Sequence, residues 1–324
     1  MFEALVAALT TLLLAPLMII FGRRFGIEGV DVHKPWKPRI PKTGGLAIIL
    51  GSAAGISTLL WFSNDGISFP ILAACLIAGL IGFYEDLRGE INPKLKPLLL
   101  VFASLPILFL GAYTPRPVIP FLGRTRLYRV YPVLVMISYP VVCNAVNSVD
   151  ILNGSAILTS IPFLAMSITI FYLRGDYRLM VIAFIILASC IAILPYNLYP
   201  AKTFIGNSGS LFLGAAMTSI AIVGRMEMAA IIALIPQIMN EMHVIFSIGG
   251  LRSAKLVEKR PVRLEDGMLT ASREKDAPIT LLRMICAEAK VSEKTAVWIM
   301  MIIACFTAML GLLTDVLFIE GMIR

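Results

Sequence analysis

Glu85 and Asp86 stand side by side where a long apolar run ends. Acidic groups at a membrane boundary are costly unless paired, hydrated or bound to a cation, which makes the pair a candidate catalytic centre. The plainer alternative is interfacial hydration, or pairing with Arg88, Lys94 or Lys96. Adjacent residues on a helix point about 100° apart, so the two are not expected to serve one ligand equally. Asn144, Asn147, Asp150 and Asn153 recur every three residues at the end of another apolar run. Side chains three apart are neighbours on a helix, so amide and carboxylate oxygens collect near one helix end. Capping, and a turn at Asn153-Gly154, can absorb one or two of these residues but hardly four.

In YNLYPAKTFIGNSGS, a turn containing Pro200 and Gly206 leads into a helix expected to start near Ser208. Amides at a helix N-terminus favour phosphate, and Lys202 adds charge. Arg252, Lys255, Lys259, Arg260 and Arg263 form the densest basic cluster. Arginine's forked donors match phosphate oxygens, although contact with anionic lipid explains such a cluster about as well. His33 and His243 have no metal-ligand spacing, which argues against zinc. Carboxylate and amide oxygens beside phosphate suit Mg²⁺ or Mn²⁺ instead.

The elements that must position these groups are membrane helices. The chain is 324 residues long, 58% hydrophobic and 15% charged. Soluble domains carry about 25% charged residues, so an all-α, polytopic membrane protein is expected. A span needs about 20 apolar residues. Ten candidates follow: 3–21, 44–62, 68–84, 97–113, 131–148, 155–173, 178–196, 209–224, 227–247 and 294–318. The first has no basic leader or small-residue cleavage site and reads as a retained helix. Gly51 with Gly55, and Gly209 with Gly214, have spacings that allow close helix packing. The five cysteines are scattered and read as small buried residues.

Of the 28 Lys and Arg residues, 20 follow odd-numbered spans. The positive-inside rule then places the segments at about 22–43, 85–96, 149–154, 197–208 and 248–293 in the cytoplasm and both termini outside. The 114–130 loop runs against that bias with Arg116, Arg124, Arg126 and Arg129. There is no internal repeat and no sign of a second soluble domain, so residues 1–324 are read as one integral membrane domain. No nucleic-acid partner is implied. A transporter or lipid flippase would instead place polar groups near mid-membrane, often in a repeated half.

Taken in order, PKTGG, the acidic pair, NAVN…NG and YNLYPAKTFIGNSGS resemble the polyprenyl-phosphate N-acetylhexosamine-1-phosphate transferases. That superfamily includes bacterial phospho-MurNAc-pentapeptide translocase and the eukaryotic and archaeal dolichyl-phosphate GlcNAc-1-phosphotransferases. The resemblance covers nearly the whole chain. The last basic loop lacks the histidine cluster of the bacterial members and has KRPVRL there, and KLKPLLLVFASLPIL looks like the fourth helix of the dolichyl branch. The compact loop favours an archaeal cell membrane over the endoplasmic reticulum.

The resemblance implies transfer of GlcNAc-1-phosphate from UDP-GlcNAc to dolichyl or another polyprenyl phosphate, releasing UMP. The GlcNAc-pyrophosphoryl-dolichol formed would open lipid-linked oligosaccharide synthesis for N-glycosylation. It implies Mg²⁺ or Mn²⁺ held at Asn147 and position 207, donor pyrophosphate held by Lys96, Arg260 and Arg263, and uracil contacts from Asn153 and Gly154. Asp86, with Glu85, would act near the acceptor phosphate, which Lys42 could meet. Asn144 and Lys202 complete the substrate-binding set, and a homodimer is expected by analogy.

Two departures stand out. The family's Asp-Asp is Glu85-Asp86 here, and its Gly-Asp is Gly206-Asn207. An amide at position 207 removes one negative charge from a hard-cation site. Three readings follow: an introduced inactivating substitution, a natural variant that recruits Asp150, or a catalytically silent relative.

Overall fold

The computed structural model describes residues 1–63, 66–251 and 259–319. The first helix, α1 (Phe2–Arg24), leads into a two-stranded ribbon, β1 (Glu28–Val30) and β2 (Arg39–Pro41). Helices α2 (Gly44–Ser63) and α3 (Ser68–Arg88) follow. A broken apolar segment comes next, α4 (Leu95–Val101), a 3₁₀ turn and α5 (Leu105–Phe109). A small hairpin, β3 (Val118–Ile119) with β4 (Gly123–Arg124), precedes α6 (Tyr131–Ser148). Helices α7 (Ser155–Arg174), α8 (Tyr177–Asn197) and α9 (Gly206–Val223) are continuous. The short α10 (Glu227–Ala233) meets α11 (Ile235–Ser247) at a 62° bend. A hairpin of β5 (Val262–Glu265) and β6 (Met268–Ala271), then α12 (Leu281–Ile285) and α13 (Glu293–Thr314), complete the described chain.

Among the described residues, seven helices are long and apolar enough to cross a membrane, or eight if the bent α10–α11 pair is one span. The protein is therefore an all-α polytopic membrane protein, with fewer clear spans than ten. Leu95–Phe109 is one span that falls short. Fifteen residues reach about 22 Å against roughly 30 Å of hydrocarbon. The α10–α11 bend falls at Pro236, which has no backbone N–H to carry one helix into the next. The 131–148 stretch does form a helix, but its last turns carry Asn144 and Asn147.

Helix α9 is the axis of the bundle, with nearly every side chain from Ser208 to Ile222 buried. It packs against α2, α3 and α6. Backbones touch where glycine permits: a Cβ on Gly45 would sit 2.3 Å from Gly209 N, and one on Gly82 would sit 2.2 Å from the Asn207 carbonyl. The same device joins α2 to α1, where a Cβ on Gly51 would meet Ala7 O at 2.7 Å. Small residues let membrane helices gain dispersion contacts that larger side chains would prevent. Cys75, Cys143, Cys190 and Cys286 are buried as expected, whereas Cys305 is exposed on α13.

Candidate functional site

The ends of α3 and α6 and the start of α9 meet beside the β1–β2 ribbon, and the acidic pair splits there. Glu85 is buried and forms an ion pair with Lys96 at 2.8 Å. Asp86 turns toward α9, where its carboxylate accepts from Asn207 N at 3.0 Å, Ser208 N at 2.9 Å and Asn207 Nδ2 at 3.2 Å. The helix periodicity that separates adjacent side chains gives the two acids different partners. Asp86 thereby supplies a cap that α9 lacks from its own N-cap residue. This corrects the expectation that those first-turn amides receive phosphate, because a carboxylate already takes them. Gly206 makes the approach feasible: its φ is +64°, and a Cβ there would lie 2.6 Å from Asp86 Oδ2.

Asn147, Asp150 and Asn207 line one cavity of about 220 Å³ together with Asp86, Lys42 and His33. Asn147 Oδ1 accepts from the Ser210 hydroxyl at 2.8 Å and retains a second lone pair. Asn207 uses its N–H₂ on Asp86, which leaves its side-chain oxygen available. Asp150 lies past the end of α6, and its carboxyl is pushed up to about 7 by burial and by the charge of Asp86, with Lys42 opposing. Among the described residues no group of three or more His, Cys, Asp or Glu side chains is arranged to hold a metal. A cation here would therefore rest on the amide oxygens of Asn147 and Asn207 together with the Asp150 carboxylate. These are hard oxygen donors of the kind Mg²⁺ takes.

A second cavity of about 800 Å³ adjoins the first and shares Lys42, Asp86, Asn147 and Asn207 with it. Lys96, Asn144, Lys259 and Arg260 also line it. One side is apolar, with Val244, Ile245 and Ile248 at the end of α11 and just beyond. Asn240 braces that side by donating to Ser148 Oγ at 2.8 Å and accepting from Leu281 N at 2.8 Å.

Two of the expected substrate-binding residues stand outside. Arg263 is exposed and pairs with Glu274, while its neighbour Val262 lines the larger cavity. Successive strand residues face opposite sides, so only one of the two can point inward. Lys202 is exposed, 5.8 Å from the Tyr196 ring centroid. Arg252 and Lys255 lie outside the described residues.

Asn153 is buried and fully engaged: its N–H₂ donates to Glu293 at 2.6 Å and Asp31 at 3.1 Å, and its Oδ1 accepts from Ala201 N at 2.7 Å. Gly154, at φ +81°, starts α7. Sequence reading missed the network around Asn153. Lys34 bridges Asp31 at 2.9 Å and Glu293 at 2.7 Å, and lies 4.2 Å from the Tyr199 ring centroid. Burial opposes charge on Lys34, but the two carboxylates outweigh it and hold the ammonium above its usual range. The i, i+3 spacing of Asp31 and Lys34 hints at their pair. Nothing local points to Glu293, 259 residues further on.

Comparison with known proteins decides the affiliation. A protein of Sulfolobus acidocaldarius, named for UDP-N-acetylglucosamine–dolichyl-phosphate N-acetylglucosaminephosphotransferase activity, is 30% identical over 247 residues, covering 74% of this chain and 75% of its own. The pattern of glycosyl transferase family 4 matches residues 68–225. The chain belongs to glycosyl transferase family 4. It is a glycosyl-1-phosphate transferase of the polyprenyl-phosphate superfamily, on the archaeal-like side. A Saccharolobus solfataricus protein of the same name is 33% identical over 222 residues, covering 65% of this chain and 67% of its own. The similarity extends to bacteria: a phospho-N-acetylmuramoyl-pentapeptide-transferase of Clostridium novyi is 28% identical, covering 81% of this chain and 86% of its own.

Proposed function

We propose that this family 4 transferase moves GlcNAc-1-phosphate from UDP-GlcNAc to dolichyl phosphate on the cytoplasmic face of an archaeal membrane, releasing UMP. The observation that carries this reading is the convergence of Lys42, Asp86, Asn147, Asp150 and Asn207 from separate chain segments on one cavity wall. The adjoining cavity, polar toward Arg260 and apolar toward α11, suits a nucleotide sugar on one side and a long lipid on the other.

A lipid phosphate oxygen forms a bond to the β-phosphorus of the donor as the bond from that phosphorus to the bridging oxygen breaks. The electron pair leaves with UMP. The acceptor is already an anion, so little deprotonation is needed, and catalysis comes from positioning and charge neutralisation. Lys42 and Arg260 hold phosphate oxygens. Asp86, fixed by two α9 amides, holds its end of the site rather than roaming as a free base. Lys96, paired with Glu85, keeps a cation at the cavity edge. Mg²⁺ would be held by Asn147, Asn207 and Asp150, and when bound it neutralises charge on the pyrophosphate. Asp150 supplies the negative charge that position 207 does not.

UMP release from UDP-GlcNAc with dolichyl phosphate and Mg²⁺ tests this. The parent is expected to turn over, and Asp150→Asn to lose on the order of 100-fold in kcat. Turnover with an N-acetylmuramoyl-pentapeptide donor alone would overturn the sugar assignment.

A second reading, a catalytically silent member, rests on the Asn207–Asp86 hydrogen bond that closes the pair without a cation. A silent parent with an active Asn207→Asp variant would favour it.

A further inference from the structure

The four arginines that run against the charge bias lie on and beside the β3–β4 hairpin. Its place follows from the helices that lead to it. Helix α6 begins at Tyr131, just after the hairpin, and ends at the catalytic cavity with Asn144 and Asn147. Eighteen helical residues span about 27 Å, so the hairpin and the cavity lie near opposite membrane faces. Helix α13 agrees. It starts with Glu293 bonded to Asn153, and the segment after it sets Phe318 against Phe121, ring centroids 4.8 Å apart.

At the hairpin tip, Phe121 and Leu122 are 86% and 78% exposed. Phe121 holds a φ of +67°, a region that a bulky residue rarely occupies. Around this tip Arg116, Arg124, Arg126 and Arg129 are all exposed, and residues 110–130 contain no acid. Two acids elsewhere at this end are turned to internal partners: Glu227 accepts from Tyr131, and Asp315 pairs with Arg174. Within residues 110–130 the exposed charges are therefore all cationic. Tyr128 stands among them, its hydroxyl accepting from Arg116 Nε at 2.8 Å. A polar-tipped aromatic among basic residues, beside an apolar tip, is the composition of a membrane interface.

We propose that the 116–129 hairpin is a bilayer anchor on the face opposite the catalytic cavity. Phe121 and Leu122 enter the acyl boundary, and Arg116, Arg126 and Arg129 bind phosphates of anionic lipid. The occupant is lipid, because an arginine-rich rim around an apolar tip complements headgroup phosphate above hydrocarbon, and the hairpin runs directly into α6, which leads back to the cavity. A second copy would present the same positive rim and repel it.

The test places a nitroxide on Leu122→Cys in a Cys305→Ser background, in bilayer discs with and without phosphatidylglycerol. High collision with oxygen and low collision with a water-soluble nickel complex is the expected result. Nickel accessibility equal to that of a solvated loop overturns the proposal. So does spectral broadening that disappears on dilution with unlabelled protein, which would identify a contact between copies. In parallel, Arg126→Gln with Arg129→Gln is expected to reduce retained phosphatidylglycerol markedly, since each arginine is worth about a fivefold preference for an anionic surface. Unchanged retention, in protein whose helix content and elution are normal, overturns the headgroup assignment.

Discussion

Restoring a carboxylate at position 207 should weaken the metal-free protein and strengthen its response to Mg²⁺. The Asn207 amide now donates to Asp86 Oδ1 at 3.2 Å. Asn207→Asp replaces that bond with two like charges, whose repulsion at 3.2 Å is about 5 kcal/mol at an effective dielectric of about 20. Both residues are only partly buried and Lys42 lines the same cavity, so screening and proton uptake reduce the cost to on the order of 1–3 kcal/mol. A divalent cation bound at the new carboxylate reverses the sign. Ligand at 100 times its Kd adds about 2.7 kcal/mol to the form that binds it. The assay is the apparent unfolding midpoint in detergent at one scan rate, in EDTA and in Mg²⁺, for parent and variant. The variant should melt a few degrees lower in EDTA and show the larger Mg²⁺-induced rise. A variant as stable as the parent in EDTA, or equal Mg²⁺ shifts in both, would refute the argument that Asn207 relieves charge at this point.

Three further outcomes are expected. Lys34→Met leaves Asp31 and Glu293 buried without their cation and should cost roughly 3–5 kcal/mol. A melting midpoint within a degree of the parent's would contradict that. Gly82→Ala forces a methyl onto the Asn207 carbonyl, parting α3 from α9 at a cost of about 1–3 kcal/mol, with a matching loss of UMP release. The third concerns pH. Burial lowers the folded-state pKa of His33 below the ordinary imidazole value of 6.5, against the pull of Glu293 and Asp31. The unfolded chain therefore takes up the proton first, and stability falls as pH drops through 6.5 and below. Melting curves of His33→Asn should lose part of that slope, whereas parallel curves would discard the assignment.

Much of the site was legible because its parts lie on short stretches with their own signals. The acidic pair at a membrane boundary, the three-residue spacing from Asn144 to Asn153, and Gly206 before a helix each located an element end. The divergence of Glu85 and Asp86 follows from helix geometry alone. Pairing across the chain was not legible. Nothing in GNSGS says that its amides cap onto Asp86, 121 residues earlier. Arg263 was misplaced because a basic cluster shows charge but not strand phase, and Val262 took the inward position. Of the ten expected spans, seven helices, or eight with the bent α10–α11 pair, are long and apolar enough among the described residues, because apolar length does not show a break such as that within Leu95–Phe109.

The contacts of Gly45 and Gly82 with the start of α9 also limit motion. Backbone pressed on backbone has no side chain to re-rotate, so the floor of the cavity cannot widen without parting whole helices. The opposite side rests on α11, a 13-residue helix already bent away from α10 and tied to its neighbours through Asn240. On the proposed reading, adjustment to acceptors of different girth would come from that side, while the helix contacts at Gly45 and Gly82 hold the floor of the cavity.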